Sequence, residues 1–273
     1  MKRIIGLIMA VLMLCALCVP ASAVGEVSGE FLDEVLALAN ETPRSEFFDE
    51  CAMLISTEIV NEGLDPSEDF TAYISYFEAA GEHLMLHDQS FCAFMMYYYA
   101  YLISYSFVPY SENTDILLNK LLDCAEPAVS QMMEEDDPEM AAEVYDTLGS
   151  LYSRFMDDQE TAGEYYANAA ESMVEAAEKA LADGNLALAL DMYETASAVY
   201  ACKLHDDESS EKWHAEAEKI SIAIFEAGGT TGGIGSTLSE GSLAIVCSVA
   251  AFAVGMAVMF FIMKKKSEER VES

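Results

Sequence analysis

Residues 173–200 read MVEAAEKALADGNLALALDMYETASAVY and decide the fold class of this chain. Small and apolar residues recur every three or four positions on both sides of Asp183-Gly184-Asn185, which is the spacing of an amphipathic helix. A glycine suits the end of one helix, and an asparagine suits the start of the next. The stretch therefore predicts two helices joined by a short turn.

The same helical pattern extends over residues 28–226. No sustained alternation of apolar and polar residues indicates a strand. Polar caps followed by proline mark further helix starts at Thr42-Pro43, Asp65-Pro66 and Asp137-Pro138. We therefore predict an all-α fold, with helices near 29–40, 44–62, 67–86, 89–107, 112–134, 139–156, 159–182, 185–202 and 208–226.

The N-terminal segment has the composition of an export signal. A short apolar run follows Lys2 and Arg3 and ends before Ala21-Ser22-Ala23, which carries small residues at both positions that cleavage requires. We predict a signal peptide over residues 1–23. An uncleaved anchor helix is the alternative, although the apolar run is short for a bilayer.

A second apolar segment lies near the C-terminus. Residues 243–263 carry no charge and would form about 30 Å of helix, which is the thickness of a hydrocarbon core. Three lysines follow, and basic residues beside a span stay in the cytoplasm. We predict a single-pass type I protein of the cell membrane, with an extracytoplasmic domain over 24–226, a flexible Gly/Thr/Ser-rich linker over 227–242, and a cytoplasmic tail over 264–273.

Three small residues lie four positions apart on one face of the predicted span, namely Cys247, Ala251 and Gly255. Such a stripe allows two membrane helices to approach closely, so a homodimer through this face is one interpretation. The other is that small residues are simply frequent in membrane helices.

Charge is distributed unevenly along the chain. The protein has 48 acidic and 13 basic residues, a formal net charge of −35, and all but three of the acidic residues lie between residues 24 and 241. This field repels nucleic acid and anionic lipid, and it attracts a basic or peptide-like partner. Solubility on a crowded cell surface is the alternative use of these charges.

Small and large residues alternate along the predicted helical hairpins. They are Phe77, Ala80, Gly81, Leu84, Ala93, Tyr97 and Ala100, then Tyr145, Leu148, Gly149, Tyr152, Ala162, Tyr166 and Ala169, then Met173, Ala177, Ala180, Gly184, Ala189, Tyr193 and Ala196. Over roughly 74–203 this spacing resembles the tetratricopeptide (TPR) family, and Gly81 and Gly149 are separated by twice its repeat length of about 34 residues.

The resemblance implies a helical-hairpin array that binds other proteins through a concave surface, and it does not imply catalysis. Residues 111–134 do not fit the spacing, and the helix over 159–182 would have to serve two hairpins. A bundle of helical hairpins is therefore the alternative architecture.

Residues 89–111 are uncharged and rich in aromatic side chains. A second membrane span is one interpretation, but acidic residues flank the segment and no basic residue lies near it. A helix that is apolar on nearly all sides is typical of the centre of a helical protein. A third interpretation keeps some rings exposed to grip a peptide, and its candidates are Tyr97, Tyr98, Tyr101 and Tyr105.

The sequence gives only weak indications of metal binding or catalysis. His83 and His87 lie four positions apart on one helix face and are the metal-ligand candidates, but they lack the intervening glutamate of a zinc protease. Acidic clusters at 134–137, 157–160 and 206–208 lack the spacing of a calcium loop and suit helix starts instead. We predict no cofactor and no enzymatic activity.

Four cysteines fall within the predicted domain, at Cys51, Cys92, Cys124 and Cys202. An even number in an oxidising compartment permits two disulfides, whereas their positions inside helices favour buried thiols. Asn40-Glu41-Thr42 is a glycosylation sequon, which the following proline weakens.

These patterns predict a membrane-anchored extracytoplasmic module for protein–protein interaction. One alternative is a structural envelope protein in which the linker, span and basic tail act as a C-terminal sorting signal. The other is a metal-dependent enzyme that uses His83 and His87.

Overall fold

The computed structural model describes residues 27–65, 69–108 and 112–226. Within these ranges the chain forms nine α-helices and no strand, which confirms the all-α prediction. The helices are α1 (Gly29–Glu41), α2 (Arg44–Asn61), α3 (Phe70–Met85), α4 (Ser90–Phe107), α5 (Glu112–Glu134), α6 (Pro138–Arg154), α7 (Gln159–Ala182), α8 (Leu186–Val199) and α9 (Asp207–Glu226).

Several predicted segments lie outside the described residues. They are the signal peptide (1–23), the linker (227–242), the membrane span (243–263) with Cys247, Ala251 and Gly255, and the tail (264–273). None of the helices in the described ranges combines the length and the apolar character needed to cross a bilayer.

The tyrosine-rich segment forms α4. Every side chain from Phe91 to Tyr101 is buried, as are Ile103 and Ser104. The prediction of a helix enclosed on nearly all sides is therefore confirmed. Its burial explains why the segment carries no charge, since a charge removed from water needs a partner that an apolar core does not offer.

One predicted helix cap is wrong, and one predicted helix start is displaced. Thr42 closes α1 by donating its backbone N–H to Leu38 O, and α2 follows Pro43 without a side-chain cap. The prediction of Thr42 as a cap is therefore wrong. Helix α3 begins at Phe70, later than predicted, and Asp69 just before it uses its Oδ2 atom to accept the N–H of Asp65 at 2.8 Å.

Four turns in the second half of the chain share one construction. A residue with positive φ ends one helix, and the next residue caps the following helix through its side chain. The pairs are Asp136-Asp137, Asp157-Asp158, Gly184-Asn185 and His205-Asp206. The prediction that the acidic clusters serve helix starts is confirmed, since Asp137, Asp158 and Asp206 each accept a backbone N–H three residues later.

The chain divides into two compact units, which we call unit 1 and unit 2. Among the described residues, unit 1 contains those up to Asp88 together with those of Met95–Leu121, and unit 2 contains Gln89–Phe94 together with residues 122–226. The interior of unit 1 is rich in stacked aromatic rings, such as those of Phe48 and Tyr99, whose centroids are 3.5 Å apart. The interior of unit 2 is built largely from alanine and methionine around Tyr166 and Tyr193.

One glycine in each unit lets a tyrosine of the next helix approach closely. A Cβ atom on Gly81 would lie 2.8 Å from Tyr97 Cε1, and a Cβ atom on Gly149 would lie 2.5 Å from Tyr166 Cδ1. Both distances are too short for any side chain, so hairpins α3–α4 and α6–α7 depend on glycine at these positions. The sequence had placed these glycines and tyrosines in the recurring spacing of small and large residues, and the structure shows which of them meet.

Candidate functional site

Unit 2 contains a cavity of about 250 Å³ between α6 and α8, which we call the α6–α8 cavity. Helix α7 contributes Met173, and a π-helical turn at Tyr200–Leu204 closes the end of α8. The lining residues are Glu139, Ala142, Glu143, Asp146, Thr147, Met173, Met192, Thr195, Ala198, Val199, Cys202 and Lys203.

Helical spacing explains why these side chains meet. The lining residues of α6 recur every three or four positions from Glu139 to Thr147 and so form one stripe. The lining residues of α8 follow the same rule from Met192 to Val199. The π-helical turn then widens the backbone and brings Cys202 and Lys203 to the cavity, and such turns are frequent at functional sites.

The cavity has an apolar interior and an exposed entrance. Ala142, Met173, Met192 and Val199 are each at most 8 % exposed. Ala198 and Cys202 are exposed and mark the side that faces solvent. A ligand that enters would therefore pass from water into contact with methionine and aliphatic side chains.

Carboxylates on α6 line one wall of this interior. Burial, reinforced by the charges of Glu139, Asp137 and Asp146, raises the pKa of Glu143 to about 8. Burial also raises the pKa of Glu139, with a further contribution from Asp137 and Asp191. Carboxyl groups are thus concentrated where water is scarce, and their ionised forms are costly without a cation beside them.

Asp191 adds to this charge from α8. Its Oδ2 atom is buried and accepts no hydrogen bond among the described residues. The carboxylate lies near enough to Glu139 to raise the pKa of that group. A buried carboxylate oxygen without a donor is uncommon in folded proteins and calls for an explanation.

Lys203 is a cation already present in the wall. Its ammonium pairs with Asp146 Oδ1 and lies 4.3 Å from the centroid of the Tyr166 ring. The ring and the carboxylate together hold the ammonium by cation–π and ionic contacts. This corner of the cavity therefore accommodates a primary ammonium, while Glu143 and Glu139 lie about one and two turns away from Asp146 along α6.

A second groove in unit 2 combines acidic and aromatic groups. Three glutamates of α7 line it together with Tyr200 and Trp213, namely Glu171, Glu175 and Glu178. The Trp213 ring stacks on Tyr193 with centroids 5.5 Å apart, and the ammonium of Lys212 lies 3.8 Å from the Trp213 centroid. The Trp213 ring therefore already contacts side chains of this protein, namely Tyr193 and Lys212.

The four tyrosines predicted to bind a partner differ in exposure. Tyr97, Tyr98 and Tyr101 are at most 8 % exposed, whereas Tyr105 is 47 % exposed. A buried ring is not available to a partner unless the helix moves, so a contact through this face of α4 would fall on Tyr105. The interaction role of these residues stays a prediction.

The two predicted metal-ligand candidates lie together at the end of α3. The His83 and His87 ring centroids are 4.4 Å apart, and His87 Nδ1 lies 2.9 Å from His83 O. Burial, and then the neighbouring His87, lower the pKa of His83, while Asp33 opposes this. No set of three metal-binding side chains is assembled in the described ranges, so the pair has no third ligand there.

The four cysteines of the predicted domain are thiols. Cys51, Cys92 and Cys124 are buried, in agreement with the preference for buried thiols, and burial raises the pKa of Cys124 to about 12. Cys202 differs because it is exposed at the entrance of the α6–α8 cavity. The sequon residue Asn40 is exposed, and its side-chain amide donates to Leu36 O at 2.9 Å.

Comparison of the chain with protein-family models, with curated proteins and with solved structures finds no match. Function is therefore inferred from the geometry and charge of the molecule. Sequence reasoning did not single out Glu139, Glu143, Asp191 or Lys203. A signal existed in the helical spacing of Glu139, Glu143 and Asp146, but many acidic residues of this chain have such spacing.

Proposed function

We propose that this protein is a membrane-anchored extracytoplasmic module whose TPR-like helical array binds a basic segment of a partner protein. The observation that carries the proposal is a contact pattern that occurs once in each unit. In unit 1, the Lys120 ammonium contacts Glu78 at 2.7 Å and also pairs with Glu82. It lies 5.9 Å from the ring of Tyr97, the tyrosine that packs on Gly81.

Unit 2 repeats the pattern with different residues. Lys203 pairs with Asp146 and lies over Tyr166, the tyrosine that packs on Gly149. In both units the acidic residue stands three positions before the glycine, and the lysine comes from an element later in the chain. Recurrence of a glycine, a tyrosine, an acidic residue and a lysine supports an internal repeat, and helical repeats commonly present a binding surface to proteins.

Charge favours a basic partner. The chain has 48 acidic and only 13 basic residues, and two of those lysines are already engaged in the contacts above. Carboxylates in excess accelerate the approach of a positive segment and repel negative ones. The α6–α8 cavity concentrates this charge beside an apolar interior.

Peptide binding tests this proposal. The full-length protein in mild detergent is titrated with a lysine-and-alanine peptide and with a glutamate-and-alanine peptide of equal length. We expect saturable binding of the lysine peptide alone, with an affinity that falls at least about tenfold between low and 0.5 M salt as exposed charges are screened. Absence of binding, or binding of both peptides alike, would contradict the proposal.

Labelling of Cys202 tests the proposed location. Cys202 is exposed, whereas Cys51, Cys92 and Cys124 are buried. A membrane-impermeant maleimide should label intact cells that make the protein, and Cys202→Ser should remove the signal. Labelling that requires cell lysis would place the domain on the cytoplasmic side and contradict the proposed topology.

A further inference from the structure

We propose that the α6–α8 cavity receives one lysine side chain of the partner, with its methylenes against Met173 and Met192 and its ammonium beside the carboxylates of α6. This inference rests on the proposed function and specifies the partner group that the cavity recognises. It follows from the size of the cavity, its division into apolar and acidic walls, and the uncompensated charge beside it.

Size favours a single side chain. The cavity measures about 250 Å³, which is below the roughly 300–1,000 Å³ typical of pockets for drug-sized ligands. Its interior is lined by methionine and aliphatic side chains, with which an unbranched chain of methylenes makes close contact. Lysine places four methylenes ahead of its charge and so matches an apolar passage that leads to carboxylates.

The charge of the site selects a cation. Glu139 and Glu143 stand one helical turn apart on α6 and line the same wall. Asp191 of α8 does not line the cavity, but its charge acts on Glu139, and its buried Oδ2 atom accepts no hydrogen bond among the described residues. An ammonium has three donors and no acceptor, so it can satisfy several carboxylate oxygens at once.

A metal ion fits the site less well. The described residues assemble no group of three metal-binding side chains, and much of the wall is apolar. Lys203 shows instead that the same wall holds an ammonium, which it places against Asp146 and the Tyr166 ring. The incoming lysine would occupy the adjacent position towards Glu143 and Glu139.

Protonation of Glu143 supports this assignment and supplies a second readout. Its pKa of about 8 means that the carboxyl largely retains its proton near neutral pH in the empty cavity. An ammonium beside it favours the carboxylate, so binding should release a proton and strengthen between pH 6.5 and pH 8.5. The charged groups that act on Glu143 or line its cavity are Glu139 and Asp146 on α6, Asp137 at the cap of α6, and Lys203 in the π-helical turn, and Asp191 on α8 acts on Glu139.

Methionine-methyl NMR on the full-length protein tests the inference. The chain has 16 methionines, and Met173 and Met192 line the cavity, so their methyl signals, assigned with single leucine variants, report on its contents. The probes are Nα-acetyl-lysine N-methylamide and Nα-acetyl-norleucine N-methylamide, which share the methylene chain but differ in the ammonium. We expect the lysine probe to shift both signals and to bind at least about tenfold more tightly than the norleucine probe.

Matched variants separate charge at the site from charge elsewhere. Glu143→Gln should weaken the lysine probe by about tenfold or more and remove its pH dependence. Glu194→Gln makes the same change at an exposed position of α8 that does not line the cavity, and it should leave binding unchanged. Unshifted Met173 and Met192 signals, equal binding of the two probes, or equal effects of the two variants would overturn the inference.

Failure of this inference can be distinguished from failure of the proposed function. If the lysine-and-alanine peptide binds but leaves both methionine signals in place, the protein binds basic segments elsewhere and the cavity assignment is wrong. If the lysine probe binds in the cavity but the peptide does not bind, the site takes free amines and both the partner assignment and the proposed function are wrong.

Discussion

Hairpins α3–α4 and α6–α7 share a close contact but differ in what surrounds it. In the first, Tyr97 packs on Gly81 beside stacked rings such as Phe77 and Tyr99, whose centroids are 6.1 Å apart. In the second, Tyr166 packs on Gly149 beside a cavity lined by small residues, methionine and carboxylates. The same backbone approach therefore supports an aromatic core in one unit and a cavity in the other.

The difference teaches that side-chain size decides which hairpin carries a cavity. Aromatic rings fill the interior of unit 1 beside α3 and α4, and each ring buries a large apolar area. Alanine and methionine leave space between α6 and α8, and the carboxylates of α6 can then approach it. The cavity of unit 2 therefore accompanies smaller side chains, and the filled interior of unit 1 accompanies aromatic ones.

The largest effect should come from removing a ring of the aromatic core. Phe77 is completely buried, so Phe77→Ala should lower the free energy of unfolding by about 3–5 kcal/mol. Met192→Ala removes a wall of an existing cavity, loses fewer contacts and should cost about 2 kcal/mol. Urea unfolding followed by circular dichroism measures both, and equal losses would contradict the contrast between the two units.

The glycine contacts should give the next largest effect. Gly149→Ala places a Cβ atom 2.5 Å from Tyr166 and should cost about 2 kcal/mol, because the ring must move. Gly163 lies in α7 with no atom near its missing Cβ, so Gly163→Ala should instead stabilise by about 0.5–1 kcal/mol. Gly81→Ala should behave like Gly149→Ala. If all three variants gained stability, tight packing of the hairpins would be refuted.

The carboxylates of the cavity should make unit 2 sensitive to pH. The pKa of Glu143 is raised from 4.5 to about 8, so the folded chain holds a proton that the unfolded chain releases. Stability from this group is complete below about pH 4.5 and is lost as pH rises towards 8. Glu143→Gln should flatten this decline and stabilise the protein at pH 8 by about 1 kcal/mol, or roughly 2–4 °C in Tm.

Thermal unfolding of the wild-type protein and the variant between pH 5 and pH 8.5 provides the measurement for Glu143. Glu194→Gln is the control, since Glu194 is exposed on α8 and outside the cavity. The same pH profile in the wild-type protein and in Glu143→Gln would rule out Glu143 as the source.

The smallest effects should come from the two lysines. Lys120 and Lys203 are both about 30 % exposed, so Lys120→Met and Lys203→Met should each cost about 0.5–1 kcal/mol. The cost should shrink in 1 M salt, which screens exposed charge, and Lys203 should retain more of it because its ammonium lies closer to a tyrosine ring. A loss above 3 kcal/mol in either variant would show that the pair is more deeply enclosed than its exposure indicates.

Local patterns made most of the helices predictable. Eight of the nine helices in the described ranges begin within one residue of the position that periodicity and capping indicated, and Asp137 caps α6 as expected. The start of α3 was missed, and the Asp69 side chain just before it binds the Asp65 backbone. The end of α8 was missed because α-helical periodicity does not foresee the change to a π-helical turn.

The candidate site was much less predictable. Glutamates such as Glu143 resemble many other acidic residues along the chain, and their spacing on a helix fits a solvated face equally well. The tyrosines of α4 stood out in the sequence, yet three of the four candidates are buried. Composition identifies unusual segments, but it does not say which side of a helix the next helix covers.

The sequence by itself determined the all-α class, the helix turns, the capping carboxylates and the recurring spacing of small and large residues that includes Gly81, Tyr97, Gly149 and Tyr166. These features depend on neighbours within a few residues or on the spacing within one hairpin. Tertiary structure alone decided that Glu143, Met173, Met192 and Lys203 surround one cavity, because they come from four elements. Burial and electrostatic coupling depend on distances through space, and helix packing sets those distances.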